Sequence, residues 1–182
     1  MDDLTTVTAE KARIGSELDM AAQIQAAKLP HIFPPYPERE EFELFASMEP
    51  AKEVGGDFYD FFLIDDDHLA LVMADVSGKG VPASLFMMAS KCILQSCAML
   101  NLSADQVLEK TNLALCSNNQ MDMFVTCWLG ILEISTGRLV SANAGLPHLP
   151  LHGRRARGHG REARPAQPPG RSVPEPANGT KK

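Results

Sequence analysis

Cysteine is scarce in this 182-residue chain, and its four cysteines form no CxxC pair and no zinc-finger spacing. We therefore predict reduced thiols, mostly buried as small apolar residues, as in a cytoplasmic protein. Long apolar runs are also lacking, because the longest stretches, near 69–74 and 81–89, are far shorter than the roughly 20 residues of a membrane span. The polar, acidic N-terminus does not resemble a signal peptide. These absences predict a cytoplasmic chain without a membrane span.

Basic residues are sparse in most of the chain. Residues 1–151 contain nine Lys/Arg and 21 Asp/Glu, whereas residues 152–182 contain eight Lys/Arg and two Glu. An acidic body does not attract nucleic acid, so we expect no nucleic-acid partner, but it offers carboxylates to a hard cation. Residues 152–182 also contain five Pro and five Gly but no Leu, Ile, Phe, Tyr or Met. This composition predicts a disordered, basic Pro/Gly/Arg-rich tail over 151–182.

Apolar periodicity predicts both helices and strands in the remaining chain. Apolar residues recur at spacings of three and four in three segments, which predicts helices over 5–29, 81–100 and 103–117. Alternating or continuous apolar runs predict strands over 42–49, 54–64, 68–75, 124–134 and 138–144. The first helix either packs on its own domain or forms a signalling linker over 1–30 that dimerises through residues 5–29. The sequence leaves both interpretations open.

Two motifs place an acidic residue beside glycines at predicted strand ends, namely Glu53-Val54-Gly55-Gly56-Asp57-Phe58-Tyr59-Asp60 and Ala74-Asp75-Val76-Ser77-Gly78-Lys79-Gly80. Because a short acidic turn over 65–67 joins the two strands, they can run antiparallel and bring Asp57 and Asp75 together at one end of the sheet. Two converging carboxylates are a reasonable site for Mg²⁺ or Mn²⁺, since hard cations prefer oxygen ligands.

Simpler interpretations of these motifs remain open. The two glycines could form only a β-bulge, and Asp57 could be a solvated turn residue. The segment 77–80 precedes a helix like a phosphate cradle, but it lacks the spacing of a P-loop. Ser77 lacks the G-x-S-x-G frame of an activated nucleophile. The motifs taken singly therefore do not decide the function.

The motifs taken together are far more specific. In order and spacing, the chain resembles PPM-type (PP2C-like) protein phosphatases of the sporulation stage II E and sigma-factor-regulator branch. The resemblance covers about residues 17–145 and is carried by Glu17-Leu18, Ile24-Gln25, Leu29-Pro30, Glu53–Asp60, Ala74–Gly80, Met123-Phe124-Val125-Thr126 and Ala142-Asn143-Ala144-Gly145. It implies an α+β fold, a PP2C-like sandwich of two antiparallel sheets flanked by helices.

The resemblance also implies a binuclear Mn²⁺ or Mg²⁺ site. It assigns catalytic and metal-binding roles to Asp57 and Asp75, and a metal-binding backbone carbonyl to Val76. The implied reaction is metal-assisted hydrolysis of phosphoserine or phosphothreonine on a regulatory protein, such as an antagonist of an anti-sigma factor. It further implies that the first helix resembles the family's linker to an upstream sensor.

The chain departs from the family pattern after Gly145. The family continues with further strands, a Thr-Asp-Gly motif and a late Asp, whereas here Leu146-Pro147-His148 leads into the basic tail and no Asp follows Asp122. We therefore expect a partial phosphatase domain over 38–150 that lacks its C-terminal strands, is truncated, and is weakly active or inactive. The alternative is a non-catalytic regulatory or dimerising fragment of such a phosphatase.

Overall fold

The computed structural model describes residues 2–48, 54–117, 119–147 and 161–162. Within them lie three helices, α1 (Asp2–Ala26), α2 (Val81–Ala98) and α3 (Ala104–Cys116). Five strands form one sheet in the order β1 (Phe58–Leu63), β2 (His68–Val76), β3 (Val125–Glu133), β4 (Arg138–Ala144) and β5 (Arg161–Glu162). The pairs from β1 to β4 are antiparallel, and β5 pairs parallel with β4. The predicted α+β class, with an antiparallel sheet and helices, is confirmed.

The core lies between one face of the sheet and the helices α2 and α3. Val72 of β2 faces Leu129 of β3 across the ladder, and both side chains are buried. Met87 of α2 and Val107 of α3 are fully buried in the same cluster. Burial of each such side chain stabilises the fold by roughly 1.5–3 kcal/mol. The end of the sheet that carries the two motifs is therefore anchored to a packed layer of helices.

The predicted strand over 42–49 is wrong for residues 42–48, and residue 49 lies outside the described residues. The structure assigns these residues no strand, although their exposure alternates as in an extended chain. Exposed Phe45 contacts Phe33, with ring centroids 5.2 Å apart, and Phe33 lies in the proline-rich connector that follows α1, residues 27–37. The alternation of apolar residues therefore indicates an extended backbone, of which Met48 packs against the core cluster. Among the described residues, no strand pairs with the segment 42–48.

The described residues cover only part of the expected sandwich and of the tail. The described ranges supply one sheet of the two that were expected. Most of the predicted disordered tail, 151–182, lies outside the described residues. Residues 161–162 are an exception, because they extend the sheet as β5 by pairing with Ala142 and Asn143. The tail therefore contributes at least this short strand.

The α1 helix is exposed over most of its length. Residues 5–14 are all exposed, and burial begins only near its end, at Gln25 and at Leu29 beyond it. Exposed apolar side chains on α1 include Ile14 and Met20. This exposure disfavours a helix packed along its own domain, and dimerisation through residues 5–29 stays a prediction.

Two details differ from the expectations drawn from composition. By length and composition, α2 is the one helix in the described chain that could cross a membrane, but one of its faces packs in the core.

All four cysteines are free, as predicted. They are not mostly buried, however, because Cys92 and Cys116 are exposed and only Cys127 is fully buried. These two exposed thiols lie on helix surfaces, where the helical period places them outward.

Candidate metal centre

The β1–β2 hairpin brings Asp57 and Asp75 together. Phe58 pairs with Ala74 in an antiparallel register, so Asp57 and Asp75 are the next opposed positions. At the other end of the hairpin, Asp65 Oδ1 accepts hydrogen bonds from the backbone N–H groups of Asp67 and His68, each at 2.8 Å. This local turn sets the register, and the register places the two carboxylates at the same end of the sheet.

The Asp75 carboxyl influences the ionisation of Asp57. Burial raises the pKa of Asp57 above its ordinary value, and a hydrogen bond with the Asp75 carboxyl and its negative charge raise that pKa further. Two carboxylates brought close together repel each other when both are ionised, and a cation between them would relieve that repulsion. The pair is therefore a candidate cation site at this end of the sheet.

Close packing around Gly56 places the Val76 carbonyl beside the loop that carries Asp57. A Cβ atom at Gly56 would lie 3.0 Å from the Val76 carbonyl oxygen and 3.3 Å from the Cβ of Ala83 in α2. Only glycine allows this approach without displacing its neighbours. After Val76 the chain turns through Gly78 and Gly80, at φ 89° and 74°, and enters α2. The left-handed conformation at both glycines makes this sharp turn possible.

Ser77 has a structural role in this turn. Its hydroxyl oxygen accepts a hydrogen bond from the Phe124 backbone N–H at 2.9 Å, and its own N–H donates to the Phe124 carbonyl at 2.8 Å. Beside it, the Thr126 hydroxyl donates to the Asp75 carbonyl at 3.3 Å. These bonds tie the end of β2 to the start of β3, so the Asp75 backbone is held against β3.

The donor set fits part of a divalent-cation site. Asp57, Asp75 and the Val76 carbonyl provide only oxygen ligands, which Mg²⁺ and Mn²⁺ prefer. Within the described ranges, no group of three or more His, Cys, Asp or Glu side chains could hold a metal ion. Glu53 of the first motif lies outside those ranges. The two carboxylates are therefore a partial ligand set.

Two polar contacts beside the motifs were not predicted from the sequence. Gln25 of α1 is buried and bonds to the backbone of Gly55. Asp60 is buried and forms an ion pair with Lys91 of α2, with the Nζ and Oδ2 atoms 2.6 Å apart. Asp60 lies between Phe58 and Phe62 on the inward face of β1. A charged residue at a position where the alternation predicts an apolar one indicates a buried ion pair, although it does not identify Lys91 as the partner.

Comparison with known proteins reveals relatives in sequence and structure. A sequence profile described as Stage II sporulation protein E (SpoIIE) matches residues 65–174, and so continues past residue 145, where the motif resemblance ended. The chain is 30% identical over 174 residues to Protein IcfG of Synechocystis sp., covering 79% of this chain and 27% of that protein. It is also 30% identical over 140 residues to the Phosphoserine phosphatase RsbU of Bacillus subtilis, covering 77% of this chain and 41% of RsbU.

The fold is similar to that of a solved phosphatase-type domain. The SiaA-PP2C domain of Pseudomonas aeruginosa matches with a TM-score of 0.63 and 26% identity, covering 75% of this chain and 55% of that one. This chain spans less than half the length of either curated relative. Because the profile covers more than half of the sequence and the PP2C domain shares its architecture, this chain belongs to the SpoIIE family of PP2C-like phosphatase domains.

Proposed function

We propose that the chain is part of a metal-dependent phosphatase that hydrolyses phosphoserine or phosphothreonine on a regulatory protein. The observation that carries this proposal is the register of the β1–β2 hairpin, which makes Asp57 and Asp75 opposed positions at one end of the sheet. The name of its relative RsbU, a phosphoserine phosphatase, supports the substrate class. Family membership supports the reaction type.

In this proposal Asp57 and Asp75 are the catalytic, metal-binding carboxylates, and the Val76 carbonyl is a further ligand. The cofactor would be Mn²⁺ or Mg²⁺, and when bound it would supply Lewis acidity for the attack of water on the phosphoryl group. Asp57 retains its proton more readily than an isolated carboxyl group, because burial and Asp75 raise its pKa. A cation held by the pair would compete with that proton, so its binding should weaken as the pH falls through the raised pKa of Asp57.

No side-chain nucleophile is needed in this reaction. The Ser77 hydroxyl, the nearest candidate in the second motif, already accepts a bond from the Phe124 N–H. Asp75 is held by its ladder bonds to β3 and by Thr126. The chain would therefore contribute oriented carboxylates, and water would be the attacking group.

The partner in this proposal is a phosphorylated protein, of the kind that antagonises an anti-sigma factor, in the cytoplasm. The four free thiols support a reducing compartment. An exposed α1 with apolar residues supports a homodimer through residues 5–29. The described residues provide only two carboxylates for the cation, so we expect weak activity from this chain alone.

The test is hydrolysis of p-nitrophenyl phosphate and of a phosphoserine peptide by the pure chain, with and without millimolar Mn²⁺. We expect weak, Mn²⁺-dependent turnover that Asp75→Asn lowers on the order of 100-fold. Asp66→Asn is the matched control, because Asp66 lies exposed in the hairpin turn at the other end of the strands. Equal turnover by wild type and Asp75→Asn, or turnover without a metal ion, would contradict the proposal.

A second candidate function is a non-catalytic regulatory or dimerising fragment of a phosphatase. It is favoured by the partial ligand set, since no third acidic, His or Cys ligand joins the pair in the part of the chain that is described. This candidate predicts self-association or partner binding that is unchanged in Asp75→Asn and independent of metal. Sedimentation of both proteins with and without Mn²⁺ separates the two functions.

A further inference from the structure

Gln25 is a polar residue buried at the end of an otherwise exposed helix. Its side chain is 6% exposed, whereas its neighbours Gln23 and Ile24 are exposed. Burial of a primary amide is unfavourable unless its donor and acceptor are both satisfied. The burial of this one glutamine therefore requires specific partners.

Both partners of Gln25 belong to a single residue of the first motif. Gln25 Nε2 donates to the Gly55 carbonyl oxygen at 2.6 Å, and Gln25 Oε1 accepts from the Gly55 N–H at 3.1 Å. The side-chain amide thus holds the backbone of Gly55 on its two sides, as a neighbouring strand would. These two residues are 30 positions apart in the sequence.

The residue held in this way is close to the candidate metal centre. Gly55 precedes Asp57 by two positions, and Gly56 between them is packed against the Val76 carbonyl and α2. The Gly55–Gly56 segment is therefore fixed by α1 on one side and by the end of β2 on the other. Glycine has no side chain to pack and the greatest conformational freedom, so the backbone of this segment depends on these contacts for a fixed conformation.

A second bond ties the same region of α1 to the strand that follows Asp57. The Tyr59 hydroxyl donates to the Pro30 carbonyl oxygen at 2.6 Å. Leu29, just before Pro30, is buried in the main core cluster. The end of α1, its connector and the loop that carries Asp57 therefore form one packed unit.

We infer that Gln25 is a positioning residue that holds Asp57 opposite Asp75 through the backbone of Gly55. This inference rests on the proposed function, because it assigns Gln25 an effect on the cation site of that proposal. Gln25 forms its hydrogen bonds with Gly55 and not with either carboxylate, so its effect must pass through the loop. Outer residues that orient metal ligands typically change metal affinity by about 10- to 100-fold.

The variants Gln25→Ala and Gln25→Glu test this inference in the full chain. Gln25→Ala removes both hydrogen bonds, whereas Gln25→Glu keeps the shape and can accept from the Gly55 N–H but cannot donate to its carbonyl when ionised. Gln23→Ala is the matched control, since it removes an exposed glutamine from the same helix. Circular dichroism melting of each variant verifies that it is folded.

The first measurement is Mn²⁺ binding by titration calorimetry. We expect the Kd for Mn²⁺ to rise about tenfold in Gln25→Ala, and to rise also in Gln25→Glu, with Gln23→Ala like wild type. A melting temperature lowered without any change in Kd would show a merely structural role and overturn the inference.

The second measurement needs no cation. Amide hydrogen exchange by NMR should become at least tenfold faster at Gly55, Asp57 and Phe58 in Gln25→Ala, and remain unchanged in α3. Unchanged exchange at these three amides would refute the positioning role. If wild type binds no Mn²⁺ while exchange rises in the variant, the proposed function fails but the positioning of the Asp57 loop by Gln25 stands.

Discussion

Removal of Lys91 should destabilise the fold strongly, because its partner carboxylate is buried. The side chains of Lys91 and Asp60 are 11% and 5% exposed, and their charged atoms are 2.6 Å apart. Asp60 also accepts a hydrogen bond from the Phe61 N–H at 3.1 Å, so its second oxygen depends on Lys91. In Lys91→Met the alkyl packing is largely retained, and a buried carboxylate is left without its counterion.

Loss of one partner of a buried pair costs about 3–5 kcal/mol in the free energy of unfolding. The cost should depend on pH. Burial raises the pKa of Asp60 above its ordinary value of 3.8, and Lys91 opposes that rise. Without Lys91 the folded-state pKa rises further, so ionisation of Asp60 disfavours the folded state as the pH increases above the ordinary value. The destabilisation by Lys91→Met should therefore be largest at neutral pH and smaller near pH 4.

Urea unfolding of wild type, Lys91→Met, Asp60→Asn and the double variant measures this effect at about pH 7 and about pH 4. The double variant should be more stable than the sum of the single changes predicts, by about 1–3 kcal/mol at neutral pH. Lys110→Met, which changes an exposed lysine on α3, should alter stability by less than about 0.5 kcal/mol. A coupling energy near zero, or equal destabilisation at both pH values, would refute the reasoning.

Three further predictions concern the core and the thiols. Gly130→Ala should lower the free energy of unfolding by roughly 1–3 kcal/mol, because the added Cβ would lie 2.5 Å from Cη2 of Trp128. An unchanged midpoint in urea unfolding would contradict this packing. Ser90→Ala should leave the free energy of unfolding unchanged or raise it by about 1 kcal/mol, since the Ser90 hydroxyl is buried without a hydrogen-bond partner among the described residues. A lowered melting temperature would show that the hydroxyl makes a stabilising hydrogen bond. A thiol reagent should modify exposed Cys92 and Cys116 in the native protein but not Cys127, whose pKa burial raises to about 12; rapid native-state modification of Cys127 would contradict its burial.

The sequence predicted the regular elements that carry strong periodicity. The second strand was predicted over 68–75 and lies at His68–Val76, and the second helix was predicted over 81–100 and lies at Val81–Ala98. The approach of Asp57 to Asp75 was also predicted, because an antiparallel hairpin with a short turn fixes which residues oppose each other. Local signals therefore sufficed for the part of the site that lies within one hairpin.

Long-range contacts could not be predicted in the same way. The bonds from Gln25 to Gly55 and from Lys91 to Asp60 join residues 30 and 31 positions apart, and nothing in the local pattern pairs them. The predicted strand over 42–49 failed for a related reason, because alternation indicates an extended chain, whereas a strand also requires a ladder partner. These features depend on tertiary contacts, which a single sequence does not identify.

The most direct test of the central claim is the pKa of the Asp57 carboxyl, measured by NMR titration with and without Mg²⁺, in wild type and in Asp75→Asn. Burial and Asp75 should raise this pKa in the metal-free wild type, and Mg²⁺ should lower it by competing with the proton. In Asp75→Asn the pKa should move toward the ordinary value and lose its response to Mg²⁺. An Asp57 carboxyl that titrates normally in wild type and ignores Mg²⁺ would contradict a cation site built on this pair.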